Sequence, residues 1–195
     1  MNIFYLHPKA EIAAKMHCDK HCIKMILETA QLLSTAHREL DGNEDADRRG
    51  LYRSTHKNHP SSVWARANGE NYDWLYDLFK SLLSEYSIRY GKRHASSKLL
   101  LPLAVPPSNC PSGDFHAPPQ CMPDEYKCSS TTAAYRKYYL GEKMGFAVWK
   151  MGAPAWALPP EKSVSAWSAH GAGVVFVNAE APRFSGNDWA IDERD

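Results

Sequence analysis

The sequence has no apolar run of about 20 residues, the length that a transmembrane helix needs. Its first residues, MNIFYLHPKAE, lack the basic stretch, apolar stretch and small-residue cleavage site of a secretion signal. The chain also lacks an excess of charge of either sign, because its formal net charge is +1. It contains no internal repeat. These absences predict a cytoplasmic protein with no membrane partner, whose contacts with any polyanion are confined to a local basic patch.

Paired cysteine motifs are absent as well. The chain has five cysteines, an odd number, and we expect all of them to be reduced. The spacing C-x5-H-x4-C-x6-C formed by Cys110, His116, Cys121 and Cys128 contains no C-x2-C pair, the pattern that makes a zinc prediction strong. The sequence therefore predicts neither a metal centre nor a cofactor, although it leaves open whether these four residues bind a metal.

The length of 195 residues suits one domain with a core of its own. Periodic apolar patterns predict a mainly α fold, a compact single-domain helical bundle built around a long central helix. We place this domain at residues 1–158 and a partly disordered C-terminal extension at 159–195, where GAGVVFVN predicts a short strand.

The long central helix is predicted from about residue 8 to residue 39. Pro8 suits a first helical turn, and no glycine or further proline interrupts the stretch. Most of its circumference is apolar, which is typical of a helix through the middle of a domain. Asp19 projects into this apolar sector, so we expect an arginine from elsewhere in the chain to pair with it.

A narrow polar stripe interrupts the apolar circumference of this helix. His17, His21, Lys24 and Glu28 follow one another at steps of three and four, with Lys20 at the edge. Two interpretations compete: a solvated face with an ordinary Lys24–Glu28 pair, or the floor of a cleft that combines imidazole, ammonium and carboxylate groups for acid–base chemistry or phosphate binding.

A second helix is predicted from Ser61 or Ser62 to about Tyr90, where Gly91 ends it. The segment before this helix is rich in histidine and in basic residues. The first turns of the helix add the indole of Trp64 and the inward-facing amide of Asn71. As substrate-binding candidates we name Arg53, His56, His59, Trp64, Arg66 and Asn71. The alternative is that THKNHP is an exposed turn.

Seven of the thirteen prolines lie in residues 101–128, which predicts an irregular loop. A third helix follows, from Ser129 or Ser130 to Lys150, and residues 127–150 carry five basic side chains against one acidic, a net charge of +4. Aromatic residues alternate with the basic ones, which suits phosphates and bases as well as a packed core. The substrate-binding candidates here are Arg136, Tyr138, Tyr139 and Lys143.

Residues 1–157 resemble a family of small phage proteins, on the blocks AAKMHCDKH, KMILETAQLLSTAHR, THKNHPSSVWAR, NYDWLY, RYGKRH and AYRKYYLGEKMGFAVWK. These proteins are similar in layout to the pyrimidine-dimer DNA glycosylases, compact helical enzymes with a catalytic acid on the first helix and an aromatic-basic segment that meets DNA. The resemblance implies an enzyme of the host-cell cytoplasm that has DNA as its partner and works on a damaged or modified pyrimidine base or its sugar.

Two departures separate this chain from the glycosylases. Those enzymes use the N-terminal amine as nucleophile, whereas here Asn2 follows Met1 and its size favours retention of the methionine. Where they place a glutamate after the first-helix histidine, this sequence has Lys20, His21 and Lys24, with the glutamate one turn further on.

The residue types suggest roles as follows. His17 and His21 supply acid–base function, Lys24 or Lys20 a nucleophilic amine or a phosphate contact, and Glu28 the carboxylate that polarises them. A transferase in phage DNA base hypermodification is the alternative enzyme, and an accessory protein that binds DNA or a host protein is the alternative without catalysis. The sequence does not predict an oligomeric state.

Overall fold

A computed structural model describes residues 1–159, and within them the protein is mainly helical with no β-strand. Three short 3-10 turns, at Ala95–Leu99, Asp124–Tyr126 and Ala155–Ala157, accompany the α-helices. The strand predicted over GAGVVFVN lies outside the described residues. The six α-helices of the described part are α1 Ala10–Met16, α2 Asp19–Leu40, α3 Asn43–Arg48, α4 Pro60–Ala65, α5 Gly69–Tyr90 and α6 Thr131–Glu142.

The core lies between α2 and α5, the two longest helices, with α1 also packed against α5. Helix α2 contributes fully buried Ile26 and Leu33, and α5 contributes fully buried Leu75 and Phe79. The prediction of a mainly α fold around a long central helix is confirmed, because α2 also packs against α3 and α4. Met1–Leu158 forms one compact unit.

The prediction of one continuous helix over residues 8–39 is wrong at a single point. The chain leaves helical geometry at His17 and Cys18, both of which have extended backbone angles, and α2 starts afresh at Asp19. Arg89 of α5 fills the junction: its guanidinium donates to the carbonyl oxygens of Lys15 and His17 at 3.1 and 2.7 Å. The break interrupts the helical hydrogen bonds, and Arg89 supplies donors to carbonyl oxygens that would otherwise lack them.

The same guanidinium is the arginine that we expected to pair with Asp19. Its distance to the Asp19 carboxylate is 3.1 Å, and it also binds Glu85 at 3.0 Å. The Arg89 side chain is 1 % exposed, so this is a buried ion-pair network. Removal of one partner from such a network costs far more than loss of a surface pair.

The helix predicted from residue 61 to residue 90 is also interrupted. His59 caps α4, because its side chain accepts a hydrogen bond from the Ser61 amide. Asn68 caps α5 in the same way, through the Asn71 amide. The Asn71 side chain donates to the Trp64 carbonyl at 3.1 Å, so the end of α4 is bonded to the start of α5. Gly91 ends α5 in the left-handed conformation, as predicted.

The proline-rich residues 101–128 are irregular, as predicted, apart from one 3-10 turn. Helix α6 ends at Glu142 and not at Lys150, because the following residues bind the junction between α1 and α2. The Val148 carbonyl accepts from the Asp19 amide at 2.8 Å, and the Trp149 indole donates to the Met16 carbonyl at 2.9 Å. Residues 143–150 thus connect α6 to the N-terminus of α2.

Candidate functional site

His21 lies in the first turn of α2, beside this connection. Its Nδ1 is 2.7 Å from the Tyr139 hydroxyl, which also accepts a hydrogen bond from the Cys18 amide at 3.0 Å. Since this hydroxyl has no other acceptor among residues 1–159, we assign its proton to His21 Nδ1, which is then the unprotonated nitrogen. The other nitrogen, Nε2, carries the proton. Burial raises the pKa of Tyr139 well above its ordinary value, so the tyrosine stays a donor.

Aromatic rings surround the imidazole. Phe4 is stacked on His21 with ring centroids 4.4 Å apart, and Phe146 approaches it edge-on at 5.4 Å. Phe4 in turn packs edge-on against Tyr139 at 5.4 Å. The imidazole is therefore held in one orientation by rings on several sides and by one hydrogen bond.

Lysines form the outer layer of the same site. Lys20 Nζ lies 5.0 Å from the Phe146 centroid, and Lys143 Nζ lies 4.6 Å from the Tyr138 centroid. Burial, with smaller contributions from the neighbouring His17, Lys143, Lys24 and Lys20, lowers the pKa of His21 to about 3. His21 is thus neutral near pH 7 and offers an N–H donor within a cationic surround. The His21 N–H is better suited to stabilise an oxygen that gains negative charge than His21 is to act as a base.

His17 does not share this site in the way that the helical projection predicted. Because the helix breaks there, the ring is fully buried, and its Nδ1 is 2.7 Å from the Ala13 carbonyl oxygen. Burial lowers the pKa of His17 to about 4, so it is neutral. Its Nε2 is buried without a hydrogen-bond partner among residues 1–159. With no exposed surface at all, His17 cannot meet a substrate directly and can only support its neighbours, whereas His21 keeps 7 % exposure.

Lys24 and Glu28 extend the site along α2. Their charged atoms are 3.4 Å apart, and the Lys24 side chain is 65 % exposed against 15 % for Glu28. The simpler interpretation of the stripe, an ordinary i,i+4 pair, therefore describes this contact correctly. The exposed amine nevertheless lies one turn from His21, and Glu28 lies about 10 Å from His21 along the axis at 1.5 Å per residue.

His59 lies near the Glu28 end. Burial lowers the pKa of His59, the amino group of Met1 and His56 lower it further, and Glu28 raises it. Since Nδ1 accepts from the Ser61 amide at 3.1 Å, Nε2 is the protonated nitrogen here too. His59 also lines an open cavity of about 440 Å³, together with Pro60, Pro119, Gln120, Cys121, Met122 and Lys127. The structure thus brings part of the 53–71 segment towards α2.

The other candidates of that segment divide by exposure. Arg53 and His56 are exposed, and His56 adopts a positive φ of 48°. Arg66, at the end of α4, donates to the Lys57 carbonyl at 2.8 Å in the loop before that helix. Trp64 is 4 % exposed and donates to the His116 carbonyl, so no face of the indole is open to a base. Asn71 is fully buried and bonds backbone, which makes it structural.

The candidates of α6 divide in the same way. Tyr139 is fully buried and positions His21, so it cannot stack on a substrate. Arg136 donates to the Leu6 carbonyl at 3.0 Å and fixes the N-terminal segment. Tyr138 and Lys143 are half-buried and reach the surface.

Two residues that the sequence interpretation did not select belong to the site, Phe4 and Phe146. Both contact His21 through sequence separations that no helical pattern covers. The excess of aromatic and basic residues in 127–150 indicated the second of them without singling it out. Among residues 1–159, no group of three or more histidine, cysteine, aspartate or glutamate side chains is placed to hold a metal ion.

The described helices include none that is long and apolar enough to cross a membrane. Comparison with protein-family models, with curated proteins and with solved structures found no match. The function of this protein is therefore inferred from its own residues.

Proposed function

We propose that this protein is an enzyme that acts on a pyrimidine base or its sugar in DNA, with glycosylase-like chemistry. The observation that carries the proposal is the neutral N–H donor of His21, enclosed by aromatic rings and bordered by Lys20, Lys24 and Lys143. The resemblance to small phage proteins agrees with it.

Nucleic acid is the ligand that this combination suits best. Lysines bind the phosphates, and aromatic side chains offer surfaces on which bases stack. The polar stripe from His21 to Glu28 is about 10 Å long, whereas one DNA strand carries a phosphate about every 3.4 Å of helix axis. A strand of about three nucleotides in helical spacing can therefore follow the stripe, with one nucleotide extruded towards His21.

The groups present support a covalent displacement at the sugar. Transfer of a proton from Lys24 to Glu28, 3.4 Å away, gives a neutral amine. The amine attacks C1′, so that an N–C1′ bond forms while the bond from C1′ to the base breaks. The base leaves with the bonding pair, and the negative charge that grows on its carbonyl oxygen is stabilised by the His21 N–H. The nitrogen then gives one proton to the departing base. The C1′–O4′ bond breaks, O4′ takes back the proton held by Glu28, and the nitrogen lone pair forms a protonated imine with C1′.

A transferase of base hypermodification is the second candidate. Three lysines around one hydrogen-bond donor suit a pyrophosphate leaving group, whose negative charge they would neutralise. In that reaction Lys24 binds phosphate and forms no bond to the sugar.

Borohydride trapping separates these functions. The protein is incubated with duplex DNA that contains an abasic site, a pyrimidine dimer or 5-hydroxymethyluracil, and then analysed on a denaturing gel. We expect a covalent adduct that Lys24→Ala abolishes and Lys80→Ala retains, since Lys80 is an exposed lysine paired with Asp77 on α5. An adduct that persists in Lys24→Ala would place the nucleophile on another amine. Native binding without any adduct would favour transfer or binding alone.

A further inference from the structure

Phe146 is an exposed aromatic residue next to the candidate catalytic donor. Its side chain is 38 % exposed, its ring centroid is 5.4 Å from that of His21, and Lys20 Nζ lies 5.0 Å from its centroid. A phenylalanine of this exposure is ordinary by itself, and what distinguishes Phe146 is its position beside the His21 imidazole and the Lys20 ammonium group.

The backbone fixes Phe146 at this position. On one side Lys143 forms the C-terminal cap of α6, and the Phe146 amide donates to the Lys143 carbonyl at 3.2 Å. On the other side the Val148 carbonyl and the Lys150 amide bond Asp19, at 2.8 and 3.0 Å. The segment therefore presents the ring on a short support that is bonded at both ends.

The neighbours of the ring are apolar and basic together. Met144 and Val148 are exposed at 37 % and 60 %, while Lys20 and Lys143 place their ammonium groups over aromatic rings of the same surface. An apolar patch with a cationic border complements a ligand that has a flat apolar face and a negative charge. An unpaired nucleotide has both, whereas the bases of an intact duplex keep their faces stacked.

We propose that Phe146 is the residue on which the base of an unpaired nucleotide stacks, in single-stranded DNA or when extruded from a duplex, beside the His21 N–H. This inference rests on the proposed function and names the part of the substrate that the site recognises. The sequence suggested this stacking role for Trp64 and for Tyr138 or Tyr139; Trp64 and Tyr139 are buried, whereas Tyr138 is half-buried.

The test compares oligonucleotides that have and lack bases. Binding of fluorescently labelled dT10 and of a ten-unit abasic deoxyribose-phosphate chain is measured by anisotropy, for the wild type, Phe146→Leu and Phe146→Trp. Phe115→Leu is the matched control, because Phe115 is also 38 % exposed but packs against Tyr5 and Trp74. Thermal unfolding of each variant shows that the fold is retained.

We expect Phe146→Leu to weaken dT10 binding at least fivefold and to change binding of the abasic chain by less than twofold. Phe146→Trp should bind dT10 as the wild type does, because it keeps an aromatic ring at this position. Phe115→Leu should bind both as the wild type does. Equal losses on both oligomers would overturn the inference, since the ring would then act only by holding the lysines. Unchanged dT10 binding in Phe146→Leu would overturn it while the proposed function stands. A wild type that binds neither oligomer would end the inference, while trapping on duplex DNA would still decide the proposed function.

Discussion

Tyr139→Phe is the substitution that tests the organisation of the site most directly. It removes only a hydroxyl, yet that hydroxyl holds the Cys18 amide at 3.0 Å and His21 Nδ1 at 2.7 Å, in a fully buried position. Each lost hydrogen bond costs about 0.5–1.5 kcal/mol, and more where the partner stays buried without a replacement. We therefore expect the free energy of unfolding to fall by about 2–3 kcal/mol.

The substitution should also change the chemistry of His21. Without the tyrosine proton at Nδ1, nothing in the described structure selects the tautomer that carries its proton on Nε2. Long-range ¹H–¹⁵N spectra should show one tautomer in the wild type and a mixture in Tyr139→Phe, together with weaker binding of DNA or lower trapping yield.

Tyr72→Phe is the matched control for this experiment. Tyr72 is equally buried, and its hydroxyl also has two partners, His37 Nε2 at 2.9 Å and the Leu103 carbonyl at 3.0 Å, away from the site. It should lose a similar amount of stability and keep the function and the His21 tautomer of the wild type. A Tyr139→Phe protein with stability within about 0.5 kcal/mol of the wild type, or with an unchanged His21 spectrum, would refute the reasoning.

Four further results are expected. Arg89→Met should destabilise the fold by about 3–5 kcal/mol in urea unfolding, because it leaves buried carboxylates without a partner; a loss below about 1 kcal/mol would contradict the network. Stability should fall as the pH drops from about 6.5 to about 4, since the unfolded chain then binds protons that buried His17, His21 and His37 do not; His17→Asn should make this slope less steep, without abolishing it, in urea titrations at several pH values. Lys143→Met should weaken DNA binding and make it less steeply dependent on salt, whereas Lys80→Met should change neither in anisotropy titrations. Trp64→Leu should lower the melting temperature but not the affinity for dT10, and a selective loss of affinity would restore the stacking role that its burial argues against.

Several side chains that hold the site in place are hydrogen-bonded to residues far away in the sequence. Arg89 is an example: it lies in the last turn of α5, where a basic side chain usually complements the helix dipole, yet its guanidinium is buried against carbonyls more than 70 positions away. The requirement for such an arginine was visible from Asp19, but which arginine met it was not. A charge in an apolar sector predicts the type of its partner, and only packing selects the residue.

The sequence by itself determined the mainly helical class, the irregular proline-rich loop and the end of α5 at Gly91, because apolar period, proline and glycine act within a few residues. It also placed Lys24 and Glu28 on one face of α2, where they pair. Only the tertiary structure decided the break at His17, since a helical period cannot register a guanidinium from another helix that satisfies the interrupted carbonyls. Tertiary packing likewise buried Trp64 and Tyr139 and left Phe146 exposed beside His21, because the exposure of an aromatic ring depends on all its neighbours and not on its own position in a pattern.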